Sequence, residues 1–124
     1  MFEISVTRTF AAAHAIRLPD GSREPVHGHN WSITVVVAAE QLDEIETVMD
    51  FHELERVLEG VIAAWRNRDL DMCVPFAGPD GRNSTAEAVA HHAGTQVALQ
   101  LPKSVRLVRC SVTEAPGCVA TWRP

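Results

Sequence analysis

The stretch REPVHGHNWSITVVV, residues 23–37, joins a polar loop to an apolar segment, and it decides how the rest of the chain is organised. Apolar residues recur at every second position from Trp31 to Val37, a period of two that predicts a half-buried β-strand. His27 and His29 stand just before this run and are also two positions apart. In extended backbone such side chains point to the same side. The stretch therefore predicts a strand that begins with two imidazoles on one face.

Five further segments have recognisable patterns. Residues 2–10 also alternate, which predicts a strand that forms a hairpin with the first one. Asp50 resembles a helix cap, and apolar residues at spacings of three and four predict an amphipathic helix to about Arg66. Ser84 with Glu87 predicts the start of a second helix, which Pro102 ends. Two short strands are predicted at about 104–113 and 117–123, around the turn-like APG.

This order of elements, ββααββ, indicates an α+β fold. Two antiparallel hairpins would form a four-stranded antiparallel sheet with both helices on one face. The 124 residues suit a single domain, 1–124. The uncovered face of the sheet is expected to need a partner, so oligomerisation is predicted.

Composition excludes several classes of function. The formal net charge of −5 argues against general nucleic-acid binding, which needs a basic surface. No apolar run is long enough to predict a membrane span. The three cysteines form no CxxC pair, so a disulfide framework is not expected, and a cytoplasmic location is predicted.

The paired histidines suggest a metal centre. Zinc accepts imidazole nitrogen, and catalytic zinc sites keep three protein ligands and one open position. His14, just after the first strand, is the best candidate for a third ligand because the hairpin would bring it near His27 and His29. The alternative is that the pair lies in a solvent-exposed turn without metal, and spacing does not decide between the two.

Several motifs together are similar to those of a known family. AAAH, HGHNW, VMDF, LD, STAE and VTEAPG occur in the order seen in the 6-pyruvoyltetrahydropterin synthase family, which includes the 6-carboxytetrahydropterin synthases of queuosine biosynthesis. The resemblance covers nearly the whole chain. It implies the tunnelling fold, assembled as homotrimers or homohexamers, and a small pterin substrate.

The resemblance also implies roles for particular residues. His14, His27 and His29 match the ligands of Zn²⁺. Glu114 matches the carboxylate that anchors the pterin ring, and Thr85 lies in a segment that lines the same pocket. Zinc would hold the side-chain hydroxyls of 7,8-dihydroneopterin triphosphate and act as a Lewis acid. Glu114 read without the resemblance is a solvated residue at a strand end.

The sequence departs from the family pattern at the proton-transfer residue. The main family has a cysteine at the position of Arg23. A variant of the family carries glutamate one place later, as Glu24 does here, and releases 6-hydroxymethyl-dihydropterin for folate synthesis. The resemblance therefore implies that Glu24 is the catalytic acid or base. The alternative for Glu24 is a solvated loop carboxylate.

A second departure concerns Asp71. The family's Leu-Asp-His is Leu70-Asp71-Met72 in this chain, and methionine cannot transfer protons. Asp71 stays a catalytic candidate, although it could instead cap a turn.

Three functions follow from these motifs. The first is a zinc-dependent carbon–oxygen or carbon–carbon lyase of pterin metabolism, with the hydroxymethyl, carboxy or pyruvoyl pterin as product. The second is a zinc- and pterin-binding protein that has lost catalysis, and the third is an oligomer with a purely structural metal.

Overall fold

A computed structural model describes residues 1–124 and contains one five-stranded sheet. The strands are β1 (Phe2–His14), β2 (His27–Ala39), β3 (Arg68–Asp69), β4 (Arg106–Ala115) and β5 (Cys118–Trp122). Their order across the sheet is β3-β1-β2-β4-β5. The two predicted hairpins are present, but the predicted number of four strands is wrong. The added strand, β3, pairs in parallel with Ala12 and Ala13 of β1, and two residues are too few to show a period.

The first hairpin has continuous register from its open end to its loop. Phe2 pairs with Ala39 and His14 pairs with His27, with no slip between them. β1 runs four residues beyond its predicted end at residue 10. The three residues before His14 are alanines, which give no alternation in hydropathy although the backbone stays extended.

The helices are α1 (Phe51–Ile62) and α2 (Ala86–Ala98), and they differ from prediction at their ends. Asp50 caps α1 as expected, because its carboxylate accepts a hydrogen bond from the His52 N–H at 2.8 Å. The cap of α2 is Thr85 rather than Ser84, since the Thr85 hydroxyl accepts from the Ala88 N–H at 3.1 Å. Neither helix is long and apolar enough to cross a membrane.

Both helices pack on the same face of the sheet, as predicted. α1 lies against β1, and α2 lies against β4 and β5. Gly94 allows the close approach of α2, because a Cβ at this position would lie 2.7 Å from the Trp122 ring and 2.9 Å from the Cys110 Cβ. Arg8, the charged residue in the apolar row of β1, reaches Glu55 of α1 at 2.6 Å. The core therefore fills the space between the sheet and the helix pair.

The uncovered face of the sheet is largely polar. The hydroxyls of Thr7 and Thr34 lie 2.7 Å apart across β1 and β2, and those of Ser111 and Thr121 lie 2.9 Å apart across β4 and β5. Exposed hydroxyls are readily solvated, so this face does not need a partner to bury apolar surface. Oligomerisation, which was predicted from this uncovered face, stays a prediction.

Candidate metal and active site

The three histidines singled out by the sequence come together at the loop end of the first hairpin. The register of β1 and β2 pairs His14 with His27 and places His29 opposite Ala12, so all three side chains emerge on the helix side of the sheet. Their ring centroids are 4.7 Å apart for His14 and His27, 4.7 Å for His27 and His29, and 5.2 Å for His14 and His29. The hairpin alone thus builds a cluster of three imidazoles.

Glu114 lies against this imidazole cluster. The pairing of β4 with β5 is irregular between Thr113 and Ala115, and such a bulge redirects the extra side chain. Its Oε1 lies 2.8 Å from His14 Nε2 and 3.3 Å from His29 Nε2. One ligand atom from each of the four residues lies within 4.8 Å of the others.

The hydrogen bonds of the rings show that these residues fit a metal ion. His14 Nδ1 lies 2.7 Å from the Ser84 carbonyl, and His27 Nδ1 lies 2.9 Å from the Pro25 carbonyl. Because a carbonyl can only accept, each Nδ1 carries the proton, and the Nε2 lone pair of the neutral ring is left free. Backbone acceptors of this kind fix the tautomer that metal-binding histidines use.

The Nε2 atoms of His14 and His29 are also buried without a hydrogen-bond partner. Glu114 Oε1 is close to both nitrogens, but the angles at these two contacts do not fit hydrogen bonds. Buried nitrogens without partners are costly unless they bind something. Three imidazole nitrogens are a donor set that suits Zn²⁺ in a site that keeps an open position.

His29 is held in the state that binds metal. Burial lowers the pKa of the His29 imidazole, and the nearby His14 and His27 lower it further, while Glu114 and Glu24 raise it. A lowered pKa keeps the ring neutral to a more acidic pH. The lone pair therefore stays available.

Glu24 lies at the edge of the imidazole cluster. Its Oε1 accepts a hydrogen bond from the Ile16 N–H at 3.0 Å and is 3.7 Å from His27 Nε2. The Glu24 backbone N–H also donates to the Ile16 carbonyl at 3.1 Å, which ties the loop to the end of β1. The second carboxylate oxygen has no partner within the chain. This carboxylate is held in place and still has an oxygen available for proton transfer.

Asp71 is nearly buried behind the imidazole cluster. Oδ2 accepts from the Ala15 N–H and Oδ1 accepts from the Ser84 hydroxyl, both at 2.8 Å. Since the Ser84 carbonyl holds His14, Asp71 is linked to the imidazole through one residue. The local turn cap is Asp69, whose side chain accepts from the Asp71 N–H at 2.9 Å. Met72 points away, with 79% of its surface exposed.

Thr85 follows Ser84 and is half-buried at the start of α2. Its hydroxyl oxygen is used by the helix cap, but its hydroxyl proton remains free to donate. Thr85 is thus next in sequence to the residue whose carbonyl contacts His14, and its place in the pocket stays a prediction.

Sequence reasoning missed two residues that shape this region. Ser84 acts through its backbone carbonyl, which no side-chain pattern reveals. Trp31 is fully buried and forms a wall beside the rings, with its centroid 4.8 Å from that of His14 and 5.6 Å from that of His29. Its position two residues after His29, on the same face, was the available signal.

Comparison with known proteins identifies the family to which this chain belongs. The family model described as 6-pyruvoyl tetrahydropterin synthase matches residues 3–124. A protein from Pyrococcus furiosus named dihydroneopterin monophosphate aldolase is 33% identical over 106 residues, which are 86% of this chain and 83% of that protein. The chain is therefore a member of the 6-pyruvoyl tetrahydropterin synthase family, and its fold class, α+β with the tunnelling fold, is confirmed.

Solved structures support the same fold. The 6-pyruvoyl tetrahydropterin synthase of Caenorhabditis elegans is similar with a TM-score of 0.84 and 22% identity, over 99% of this chain and 95% of that chain. A Plasmodium vivax 6-pyruvoyltetrahydropterin synthase, in which a catalytic glutamate is replaced by alanine, has a TM-score of 0.79 and 18% identity, over 99% and 97%. Family membership makes this chain a lyase of pterin metabolism.

Proposed function

We propose that this protein is a zinc-dependent carbon–carbon lyase that cleaves the side chain of phosphorylated 7,8-dihydroneopterin and releases 6-hydroxymethyl-dihydropterin. The observation that carries the proposal is Glu24, which has a free carboxylate oxygen beside the imidazole cluster. The aldolase from Pyrococcus furiosus, at 33% identity, supports the reaction type and a phosphorylated substrate.

The reaction balances with one residue that both takes and returns a proton. Glu24 removes the proton from the hydroxyl on the second side-chain carbon, and that carbon becomes an aldehyde as its bond to the first carbon breaks. The electron pair passes to the first carbon and is delocalised into the ring. Glu24 then gives its proton to the first carbon, which becomes the hydroxymethyl group. Glycolaldehyde phosphate is the second product when the substrate is the monophosphate.

Zinc held by His14, His27 and His29 would supply Lewis-acid stabilisation of charge that develops on substrate oxygen. The chain's own residues position the substrate and transfer its protons. Asp71 is proposed to act through other residues and not on the substrate itself. Its carboxylate holds Ala15 and Ser84, and the Ser84 carbonyl holds His14.

Other candidates for proton transfer are poorly suited. Arg23 stands where the family has a thiol, and a guanidinium does not lose its proton in proteins. Cys73 is buried, and burial raises the pKa of its thiol. Met72 has no titratable group. Glu24 is therefore the acid–base residue of the proposal, and the catalytic glutamate of the Plasmodium vivax protein supports such a role in this fold.

The pterin ring is proposed to bind at Glu114 and Thr85. A carboxylate can accept two hydrogen bonds from adjacent N–H donors of the amino-pyrimidine edge. Only Oε1 of Glu114 contacts the imidazoles, so Oε2 remains for the ring. The Thr85 hydroxyl can donate to a ring oxygen or nitrogen.

The assembly is proposed to be a homotrimer or homohexamer in the cytoplasm. Both edges of the sheet have unpaired backbone: β5 on its outer side, and β1 from Phe2 to Arg8, because Arg66, Asn67 and β3 bind only the later residues of β1. Unpaired edges can join copies into a closed sheet.

The test is a product assay with a matched variant. Zinc-loaded protein is incubated with 7,8-dihydroneopterin triphosphate and, separately, with the monophosphate, and products are identified by mass spectrometry. We expect 6-hydroxymethyl-dihydropterin, and we expect Glu24→Gln to lower kcat by about 100-fold or more, as loss of a general acid–base does. Glu44→Gln, in an exposed loop beyond the other end of β2, is the control and should be fully active.

Other products would point to other family reactions. A carboxy or pyruvoyl pterin would leave the lyase class intact but contradict the proposed bond cleavage. The loss of the family's histidine at Met72 favours one further candidate, a protein that binds pterin without converting it. Tight binding that Glu24→Gln leaves unchanged, without any product from either protein, would support that candidate and contradict ours.

A further inference from the structure

Arg23 occupies a position from which it can receive an anion at the edge of the imidazole cluster. Its Nη1 donates to the Ala15 carbonyl at 3.2 Å and lies 3.4 Å from Asp71 Oδ2. The side chain of Asp71 is only 13% exposed, so it gives the guanidinium a fixed support. Nη2 and Nε have no partner within the chain, and the Arg23 side chain is 43% exposed. One end of the guanidinium is thus anchored while the edge formed by Nε and Nη2 faces outward.

The side chains of Arg23 and Glu24 both bind the same backbone peptide group. Arg23 binds the carbonyl of Ala15, and Glu24 binds the N–H of Ile16, which belong to the same peptide unit. The two side chains are therefore held on opposite sides of one peptide group. In a phosphorylated dihydroneopterin, the carbon that carries the phosphate is bonded to the carbon whose hydroxyl Glu24 would deprotonate. An anion receptor for this substrate must lie next to the acid–base residue, as Arg23 does.

Electrostatics give Arg23 a further reason to be present. Three carboxylates, those of Glu24, Asp71 and Glu114, surround the imidazole cluster, and the chain as a whole has a net charge of −5. A phosphate approaching such a region is repelled unless a local cation offsets the field. A guanidinium edge also matches two oxygens of a phosphate, which a point charge does not.

The other arginines near this end of the sheet contact no side chain of the Asp71–Ser84–His14 chain of hydrogen bonds. Arg17 donates from Nη2 to the Gly81 carbonyl at 2.8 Å. The charge of Arg82 helps to lower the pKa of His92, which packs on Trp65 away from the imidazole cluster. Arg68 lies in β3, where its charge acts on Cys73. Arg23 is thus the arginine that directly contacts a residue of the Asp71–Ser84–His14 chain of hydrogen bonds.

We infer that Arg23, positioned by Asp71, is the specificity residue that binds the substrate's side-chain phosphate and makes the protein prefer phosphorylated over free dihydroneopterin. This inference rests on the proposed function and extends it. It also gives a role to Arg23, which stands where the family has a thiol, and to Asp71, which is followed by Met72 in place of the family's histidine. The pair of Arg23 and Asp71 holds the substrate, and proton transfer is left to Glu24.

The test compares phosphorylated and free ligand in three proteins. Binding of dihydroneopterin monophosphate and of dihydroneopterin is measured by titration calorimetry with zinc-loaded wild type, Arg23→Gln and Arg82→Gln. We expect wild type and Arg82→Gln to bind the monophosphate about 10-fold or more tightly than the free compound, the effect of charge-assisted hydrogen bonds. Arg23→Gln should bind the two with nearly equal Kd, while its affinity for free dihydroneopterin is unchanged.

Turnover supplies a second and separate readout. If the monophosphate is a substrate, Arg23→Gln should raise its KM by about 10-fold and change kcat little, because the lost contact is made equally in the ground and transition states. An unchanged preference for the monophosphate in Arg23→Gln would overturn the inference, as would a wild type without any preference. Absence of product from wild type would contradict the proposed function, and the ratio of the two Kd values would still decide the role of Arg23.

Discussion

Each imidazole of the cluster has one ring nitrogen within 4.8 Å of those of the other two, so the loss of one ring should remove the metal. We expect His27→Ala to reduce bound zinc from about one per chain to near zero, because three-histidine sites lose affinity steeply with each ligand. His27 is the ring whose replacement disturbs the core least, since it is partly exposed whereas His14 is buried.

The zinc content after dialysis, measured by inductively coupled plasma mass spectrometry, tests this prediction. His52→Ala is the control, because His52 is exposed on the first turn of α1 and lies outside the imidazole cluster. Zinc that stays stoichiometric in His27→Ala would mean that the ligands are other residues.

The three free cysteines should differ sharply in reactivity. Cys118 is exposed at the start of β5, while Cys73 and Cys110 are buried. Burial raises the pKa of Cys110 to about 12, so ionisation of this thiol moves to more alkaline pH on folding. At about pH 8 only about one Cys110 side chain in ten thousand is a thiolate, the form that reacts.

Brief treatment of the native protein with iodoacetamide, followed by peptide mass mapping, measures this difference. We expect one label per chain, on Cys118, and three labels after unfolding in urea. Since the unfolded thiol ionises more readily than the folded one, Cys110 also stabilises the fold less as pH rises from about 9 towards 12. Native labelling of Cys110 at the rate of Cys118 would contradict the burial described.

At the scale of elements, two helical glycines make opposite predictions. In α2, a Cβ on Gly94 would lie 2.7 Å from the Trp122 ring, so Gly94→Ala should destabilise the fold by about 1–3 kcal/mol through overpacking. In α1, a Cβ on Gly60 would meet nothing within 4 Å, so Gly60→Ala should stabilise it by about 0.5–1 kcal/mol.

Urea unfolding followed by circular dichroism measures both changes in the free energy of unfolding. The pair controls for helix propensity, because the same substitution is made in each helix. Equal effects at the two positions would show that α2 does not approach β5 as closely as described.

The elements also show what the sequence could and could not predict. Alternation predicted β1 and β2, and the same period of two put His27 and His29 on one face. His14 was only a candidate from the expected hairpin, and spacing did not decide between a metal site and an exposed turn. Glu114 needed the resemblance, because its direction depends on a bulge that no hydropathy pattern encodes. β3 and the backbone contact of Ser84 were missed, since two extended residues and one carbonyl leave no trace in side-chain order.

For the whole molecule, the prediction concerns assembly through sheet edges. We expect the protein to sediment or elute at three or six times its chain mass of 13.6 kDa, because β1 and β5 both have unpaired edges. Light scattering coupled to size exclusion measures the mass directly. A monomer at micromolar concentration would contradict the homotrimer and homohexamer alike.

The hydroxyl pairs on the uncovered face of the sheet, Thr7 with Thr34 and Ser111 with Thr121, determine what such a ring would enclose. Walls that carry hydroxyl groups are wetted, so a closed ring of these sheets would surround a water-filled bore and not a dry interior. The width of that channel would be governed by how many strands complete the circle.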